Sequence, residues 1–491
     1  MDGASEQLLL EALSELSACL GRSGSVPNTS AGCTELFHAV LLWAAPGKDP
    51  GSQKQVPARA AVAAKAFLRL LEAIKPPSRD GHNTAGAGKA NDPAGQKSRE
   101  KKSAQPNNAR ASGSKSGDSS GVGSLSPQSI LACATAPVLL LCGGHIQDKP
   151  WTNPHSRALA EQLLQTLLSA SDCKSLGDLL KGKKKPDPNF GVFKEALGLL
   201  EPRLRKETWE SNPDAKVAFS WMLYEVSRPW LTNFLSRVMP PSLLFSDDYD
   251  VQNKVLGIIC LHHIIKNVPA ADLRQFNRSM VLYHALRNHL HTTDVEVIEV
   301  ALPCILDLFP VLRKPPPAVG SYQKSTESPV DQVMQLVLTH MEMESKIVLR
   351  RLYARHLPAL QERLGIKVLR HMNRLMRVVL SYLEVYDGPE ETARLCILET
   401  LQGTMKYAWP RIPSRLALLL QSLLKLIHEV SDDPSRHTQP VREALLHEAT
   451  ECLIILDHCC KGKVKDTLAE ISMVCDQPDL KKCIEEVLDS T

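Results

Sequence analysis

The sequence has few aromatic residues and little net charge for its length. Phenylalanine, tryptophan and tyrosine make up 5% of the 491 residues, whereas hydrophobic residues together make up 43%. A large core can therefore form, and leucine, isoleucine and alanine must fill most of it, as in proteins built from packed helices. The formal net charge of +4 is too small to indicate nucleic-acid binding by itself.

The sequence also lacks the segments that direct a chain to a membrane or to the secretory pathway. No apolar run approaches the ~18 residues that a membrane span needs. Asp2, Glu6 and Glu11 give the first residues an acidic character, which a signal peptide does not have. The 13 cysteines are scattered through helical patterns, which predicts reduced thiols rather than a disulfide framework. We therefore expect a cytoplasmic protein, with the nucleus as a further location.

Only one segment approaches a nucleotide-binding motif, and it fails at the position that binds magnesium. Residues Gly177–Lys184 match most of a P-loop, but Lys184 replaces the required serine or threonine, and a helical pattern precedes the segment where a P-loop follows a strand. A kinase or nucleotide hydrolase that uses this segment is the enzyme alternative. The basic run Lys183–Lys185 also leaves open a short nuclear-import signal, although solvated loops commonly carry such runs.

Candidate metal ligands do not occur in a spacing that chelates an ion. His447 and Glu451 share a helix face, but a protease-type zinc site needs a second histidine in place of Glu451. His262 and His263 are adjacent in a helical pattern, so their rings point about 100° apart. The segment 458–460 has no second cysteine pair at zinc-ribbon spacing. The sequence therefore predicts no metal, no cofactor, no catalytic residue and no enzymatic activity.

What the sequence does contain is a repeat. Residues 251–265 align with residues 295–309 at an offset of 44, and Cys260 then meets Cys304. Weaker echoes contain Cys396 and Cys452. A helical period of about 40–47 residues is typical of HEAT and armadillo repeats, in which helical hairpins stack into an alpha-solenoid. Small apolar cysteines at equivalent positions favour close helix packing.

Composition divides the chain into three parts. Residues 1–75 have helical patterns, and residues 76–129 consist mainly of glycine, serine, alanine, asparagine and lysine. Such a segment cannot bury enough apolar surface to offset its ordering entropy, so we predict a disordered linker. Helical patterns resume near residue 130 and continue to residue 491. The predicted fold is all-α: an alpha-solenoid of HEAT-like or armadillo-like repeats with a disordered internal linker.

Capping signals and apolar stripes mark the helices of the C-terminal part. Thr293 and Glu296 have the spacing of a capping box, and Asp387 precedes another predicted helix start. Two long stripes follow at helical spacing. The predicted buried positions are Leu416, Leu419, Leu420, Leu423, Leu424 and Ile427 in the first stripe, and Leu445, Leu446, Ala449, Cys452, Leu453 and Leu456 in the second.

Arginine and aromatic residues are dense between residues 350 and 411, and these side chains dominate interface energies. Arg351 and Arg355 are spaced to share one helix face. The segment 382–387 combines tyrosines with acidic residues. The alternative for Tyr353, Tyr386 and Trp409 is that each fills a gap between repeats, and we expect this of Trp409. The predicted partner-binding residues are Arg351, Arg355, Tyr382, Glu384 and Tyr386.

A series of ordered blocks resembles the Tel-two-interacting protein 2 family. The blocks are residues 251–257, 261–264, 267–271, 281–285, 288–290, 338–341, 350–355, 382–391 and 409–411. The resemblance covers most of residues 130–491. It implies an alpha-solenoid that forms the third subunit of the Triple T complex, with the Tel two protein and Tel-two-interacting protein 1.

The resemblance also implies a function and a set of clients. The Triple T complex is a cochaperone adaptor for the ninety-kilodalton heat-shock chaperone machinery. It supports the maturation and stability of phosphatidylinositol-3-kinase-related kinases, which act in DNA-damage and growth signalling. The implied partners include no membrane and no nucleic acid. Another HEAT-repeat adaptor, such as a nuclear-transport or phosphatase scaffold, is the alternative among binding proteins.

Overall fold

The computed structural model describes residues 3–22, 26–74, 126–182, 191–313 and 327–490. Within these ranges the regular elements are α-helices and short 3-10 helices, and no strand occurs. The predicted all-α fold is therefore confirmed. Residues 76–125 of the predicted linker lie outside the described residues. The next helix begins at Pro127, where the Ser126 hydroxyl accepts a hydrogen bond from the Ser129 amide.

The chain divides into two compact units, and the first contains the N-terminal helices. Its helices are α1 (Gly3–Cys19), α2 (Ser30–Ala44), α3 (Pro50–Gln53), α4 (Val56–Ile74), α5 (Pro127–His145), α6 (Pro154–Ala170), α7 (Leu176–Lys181) and α8 (Val192–Leu200). Helix α4 packs against α1 and α6, and α2 packs against α5. The predicted boundary at residue 75 is therefore not a boundary between compact units. Helix α9 (Pro213–Glu225) is divided between the two units.

The second unit is a stack of helical hairpins. Its helices are α10 (Leu235–Ser246), α11 (Val251–Asn267), α12 (Ala270–Arg274), α13 (Arg278–His289), α14 (Val295–Leu312), α15 (Pro329–Met343), α16 (Ile347–Leu364), α17 (Met372–Leu383), α18 (Thr392–Ala408), α19 (Leu416–Asp432), α20 (Gln439–Cys460), α21 (Lys463–Ser472) and α22 (Pro478–Asp489). Helices α11, α14, α16, α18 and α20 pack successively in one layer, and α15, α17 and α19 form a second layer. This two-layer stack of hairpins is a HEAT-like alpha-solenoid.

The sequence repeat corresponds to successive helices of the first layer. Cys260 in α11 and Cys304 in α14 are both fully buried at equivalent positions, and Cys452 in α20 is also buried. Burial raises the pKa of the Cys260 thiol to about 12, so this cysteine is an apolar core residue. Helix α16 lies between α14 and α18 in the same layer but has no cysteine at the equivalent position. The repeat of cysteines in the sequence therefore does not include α16.

The two predicted stripes face the core. Leu419, Leu420 and Leu423 of α19 are buried, whereas Leu416 and Leu424 are only partly covered. In α20 the predicted positions are buried except Leu446, which is partly covered. The alternation of apolar and polar residues thus locates the core faces of these helices to within about one residue.

The predicted caps are wrong in detail. Helix α14 takes Asp294 rather than Thr293 as its N-cap, and Glu296 accepts a hydrogen bond from Gln252 of α11 at 2.8 Å. Asp387 does accept a hydrogen bond from the first turn of α18, from the Ala393 amide at 2.8 Å. Tertiary contacts compete for these side chains, and the sequence alone does not show those contacts.

One helix of the described residues, α5, is long and apolar enough to cross a membrane by length and composition. The segment has no unbroken apolar run of that length, so a search for such runs does not identify it. Of its most apolar window, 67% is buried inside the structure, and the indole nitrogen of Trp151 donates to the Gly144 carbonyl at 3.0 Å. A single helix of this kind is weak evidence for a membrane span, because core helices have the same composition.

Candidate partner-binding surface

Arg351 stabilises a loop within the second unit. Its guanidinium contacts the Asp387 carboxylate at 3.2 Å and the Glu390 carboxylate at 3.3 Å, and it also donates to the Asp387 carbonyl. The side chain is 25% exposed. A charge reversal at Arg351 would therefore disrupt the fold of this loop, and it would not report only on partner binding.

Tyr382 is a core residue, and its assignment as a contact residue is corrected. It is 1% exposed, and the guanidinium carbon of Arg350 lies 3.7 Å from the centre of its ring. This geometry is a buried cation–π contact. Burial raises the pKa of the Tyr382 hydroxyl, while the neighbouring Arg350 lowers it. Leu375, Val379 and Tyr382 follow helical spacing, and this signal in the sequence would have predicted burial.

Arg355 is exposed and forms no salt bridge with any described residue. It lines an open groove of about 740 Å³ between α16 and α18. The other lining residues are Pro358, Ala359, Gln361, Glu362, Glu399, Gln402, Gly403, Lys406 and Tyr407. Small residues on both helices let their backbones approach closely, while charged residues of both signs surround the groove. Such a surface can bind a protein segment by hydrogen bonds and ion pairs.

Glu384 and Tyr386 do not lie beside Arg355 in this groove. Glu384 is 56% exposed and lies 3.5 Å from the Lys425 ammonium group of α19, in the other helix layer. Tyr386 packs edge-to-face on His437, with ring centres 5.7 Å apart. The five predicted residues therefore do not form one surface. Arg355 and Glu384 are exposed, Tyr386 and Arg351 make internal contacts, and Tyr382 is buried.

Tyr353 fills the core as the gap-filling alternative predicts, since it is 1% exposed and stacks on His340. Trp409 does the opposite. It was expected to fill a gap between repeats, but it is 60% exposed. Trp409 follows the last residue of α18 and begins a proline-containing 3-10 helix, Trp409–Arg415. Because the chain turns there, the apolar stripe of α18 does not extend to this position.

A buried ionic cluster lies between α18, α19 and the loops before α18 and α20. It consists of Asp387, Glu391, Arg394, Glu429 and His437. Arg394 is fully buried and binds Glu391 at 3.0 Å and Glu429 at 3.1 Å. His437 binds the same Glu391 oxygen at 2.9 Å. The cluster joins successive repeats through charges that have little access to water.

Two buried carboxyl oxygens in this cluster, one on Asp387 and one on Glu391, could share a single proton. Within the described residues, neither Asp387 Oδ1 nor Glu391 Oε2 has a conventional hydrogen-bond partner, and two ionised carboxylates cannot donate to each other. A proton on Glu391 would let it donate to Asp387. Burial and the hydrogen bond that a protonated Glu391 gives to Asp387 together raise the pKa of Glu391 to about 8, against the lowering effect of Arg394.

The contribution of Glu391 to the stability of the second unit should therefore fall as pH rises. In the unfolded chain the Glu391 carboxyl ionises near its ordinary pKa of 4.5, whereas in the folded chain it holds its proton to about pH 8. Between these values the folded state binds more protons, so its free energy of unfolding decreases with pH. Glu391→Gln should remove this component, because glutamine can still donate to Asp387. Urea midpoints of both proteins between about pH 5 and pH 8 test this prediction, and identical pH profiles would contradict it.

The motifs considered for nucleotides and metals are only partly covered by the described residues. Gly177 is a buried residue inside α7, and Lys183–Lys185 lie outside the described residues. His262 contacts Asp307 at 2.8 Å, whereas His263 contacts the Val226 carbonyl at 2.9 Å, so the two rings diverge as predicted. Among the described residues, histidine, cysteine, aspartate and glutamate form no group that could hold a metal ion.

The comparisons with known proteins agree with the resemblance found in the sequence. A model described as the Tti2 family matches residues 138–389. TELO2-interacting protein 2 of mouse is 49% identical over 353 residues, which cover 72% of this chain and 68% of the mouse protein. The human protein is 49% identical over 351 residues, with the same coverage.

Solved structures with a similar fold include two importins. Importin beta is 13% identical with a TM-score of 0.46, over 99% of this chain and 61% of that chain. Yeast importin-beta (Kap95p) is 11% identical with a TM-score of 0.43, over 99% of this chain and 56% of that chain. The family is given by the sequence matches, which are far stronger. Since the family model spans about half of the chain and the relatives are 49% identical over about two thirds of their own lengths, this chain belongs to the Tti2 family.

Proposed function

We propose that this protein is a non-enzymatic scaffold subunit of the Triple T complex, bound to the Tel two protein and Tel-two-interacting protein 1. The carrying observation is its 49% identity to TELO2-interacting protein 2, a protein whose name states an interaction with TELO2. The Tti2 family and the HEAT-like fold are typical of scaffolds without catalysis. Such helical stacks offer long surfaces on which a partner can lie.

The proposed role in the cell follows from this assignment. The complex would assist the ninety-kilodalton heat-shock chaperone in the maturation of phosphatidylinositol-3-kinase-related kinases, and thereby maintain DNA-damage and growth signalling. The proposed location is the cytoplasm, with the nucleus as a further location. All thirteen cysteines are free thiols, which supports a reducing compartment.

The groove between α16 and α18 is the proposed docking surface in the second unit. Arg355 at this groove is an exposed cation without a salt bridge among the described residues, so a partner carboxylate can bind it without breaking an internal contact. Permanent complexes bury more than ~2,000 Å², so the interface would extend beyond the groove along the same helix layer.

Arg355→Glu is expected to reduce recovery of both partner subunits by about tenfold when the tagged full-length chain is purified from cells. The variant places a negative charge where the partner would supply one, and it should leave the circular dichroism spectrum unchanged because Arg355 forms no ion pair with the residues that the structure describes. Lower abundance of the client kinases should follow in the same cells.

Lys425→Glu is the control in the other helix layer, where Lys425 is 62% exposed and pairs with Glu384, so its circular dichroism spectrum is compared as well. It should bind partners normally. Loss of binding in Lys425→Glu but not in Arg355→Glu would move the docking surface to the layer that contains Glu384. Failure of the unaltered protein to co-purify with either subunit would reject the proposed function itself.

A further inference from the structure

Two neighbouring turns of the second unit expose large apolar side chains. They are the 3-10 helices Gly365–Arg370 and Trp409–Arg415, which follow α16 and α18 and both pack against α18. The Arg415 guanidinium donates to Asn373 at the start of α17, which connects the second turn to the helix that follows the first. Side chains on the two turns therefore lie along one edge of the helical stack.

Each turn already has an apolar residue that attaches it to the core. Val368 and Ile412 are fully buried. Ile366 is nevertheless 69% exposed, and Trp409 is 60% exposed. These two side chains contribute little to packing within the chain, so their exposure calls for another reason. Tryptophan in particular is among the strongest contributors to binding at protein interfaces.

Four cations lie within three residues of Ile366 or Trp409 in the sequence. Arg363, Lys367, Lys406 and Arg411 have no salt bridge within the part of the chain that the structure describes. We refer to these four cations together with Ile366 and Trp409 as the basic edge.

Other basic residues nearby are matched by internal carboxylates. Arg370 binds Asp331 at 3.1 Å, and Arg374 binds Glu342 at 2.7 Å. Arg370 and Arg374 are thus neutralised by carboxylates of the same unit. The four cations of the basic edge have no such carboxylate among the described residues and can bind solvent or a partner. Glu362 of α16 and Glu399 of α18 are exposed acidic residues on the groove that Lys406 also lines, and these two charges do not balance the four cations.

The chemistry of the basic edge favours an acidic protein segment over a nucleic acid. A nucleic-acid surface needs many phosphate contacts and usually a strongly basic domain, whereas this chain has a pI of about 8.3 and a net charge of +4 over 491 residues. An exposed isoleucine and an exposed tryptophan on adjacent turns suit apolar side chains of a peptide, because isoleucine offers no stacking surface to a base.

We propose that the basic edge binds an acidic segment of a partner protein, with glutamates or aspartates on the four cations and apolar side chains on Ile366 and Trp409. The inference rests on the proposed function, because it names the chemistry of a partner for the same unit. It adds a second contact region beside the groove, since Lys406 lines both.

Fluorescence anisotropy of the full-length chain with a labelled short peptide tests this inference. The peptide consists of glutamates interrupted by leucine and tryptophan, and its counterpart carries glutamine in place of each glutamate. The acidic peptide should bind more tightly than the glutamine peptide, and raising the salt concentration should weaken it. Lys367→Glu with Arg411→Glu should weaken it about tenfold, since two ion pairs are lost and each charge reversal adds repulsion.

Matched variants separate the basic edge from general effects of charge and exposure. Lys481→Glu with Lys482→Glu reverses the same charge on α22 and should bind the acidic peptide normally. Trp409→Ala should weaken binding several-fold, whereas Tyr249→Ala, which removes a tyrosine that is 83% exposed, should not. Circular dichroism of all four proteins controls for folding.

The outcomes that overturn the inference are equally specific. Equal affinity for the acidic and glutamine peptides would reject it, and so would normal acidic-peptide binding by the Lys367 and Arg411 double variant. Tighter binding of a single-stranded oligonucleotide or of phosphatidylserine vesicles through the same residues would assign the basic edge to another class of partner. Normal recovery of both partner subunits alongside any of these results would leave the proposed function standing while rejecting the basic edge.

Discussion

Arg394→Ala is expected to destabilise the second unit by ~3–5 kcal/mol, because it removes a fully buried cation and leaves the partly buried Glu429 carboxylate and the buried Glu391 carboxyl oxygen without their donor. Arg394 has no exposed surface and binds both Glu391 and Glu429. Leaving buried or partly buried carboxyl groups without a donor is far more costly than losing an exposed ion pair. Urea unfolding followed by circular dichroism measures the change, and hydrogen exchange should show the loss of protection first in α18 and α19.

Arg436→Ala is the matched control for this experiment. Arg436 binds the same Glu429 at 3.3 Å, but its side chain is 46% exposed. Its removal should cost less than ~1 kcal/mol, because water can replace the lost contact. Equal destabilisation by the two substitutions would show that the burial of Arg394 does not determine the loss of stability. It would also show that the cluster does not stabilise the packing between repeats.

Gly257→Ala is expected to cost ~3 kcal/mol or more, because the backbones of α10 and α11 meet at this residue. An added Cβ would lie 2.6 Å from Ser246 Cα and 2.8 Å from the Phe245 carbonyl carbon, and it would be closer still to the Ser246 amide nitrogen. Backbone atoms cannot rotate away, so the two helices must separate. The thermal midpoint of the full-length chain and its far-ultraviolet spectrum measure the result.

Gly403→Ala provides the comparison in another helix of the same unit. There the added Cβ would meet the end of the Gln361 side chain at 3.1 Å, which can shift, and alanine favours helix formation over glycine by up to ~1 kcal/mol. We expect a change much smaller than that of Gly257→Ala. If both substitutions are tolerated equally, the close approach of α10 and α11 does not limit stability.

The sequence predicts elements whose signals are local. The stripe of α19 is a local pattern of spacing, and the structure buries Leu419, Leu420 and Leu423 as that spacing requires. The equivalence of Cys260 and Cys304 is also local, because both fall at the same position of consecutive hairpins. Such patterns can be recognised in the sequence because each helix must bury one face, whichever helices it packs against.

The candidate site was less predictable because its contacts join distant residues. Arg394 and His437 both bind Glu391, although His437 lies 46 residues from it in the sequence. No pattern of spacing indicates that pairing. Arg351 was assigned to the surface because arginine is common at interfaces, yet Asp387 and Glu390 bind it internally. A charged residue at a helix edge can bind a partner protein or a carboxylate of its own chain. Which of the two occurs depends on the path of the loop that carries those carboxylates.

The buried ionic cluster has a consequence for the order of events during synthesis. Glu391 and Arg394 leave the ribosome well before Glu429 and His437, which complete their contacts. A nascent chain that ends between these residues must keep α18 open to water or hold charges in an incomplete core. The C-terminal hairpins should therefore pack against one another only after residue 437 has emerged from the ribosome. A prematurely truncated chain would expose the incompletely packed surface of α18 to quality-control factors.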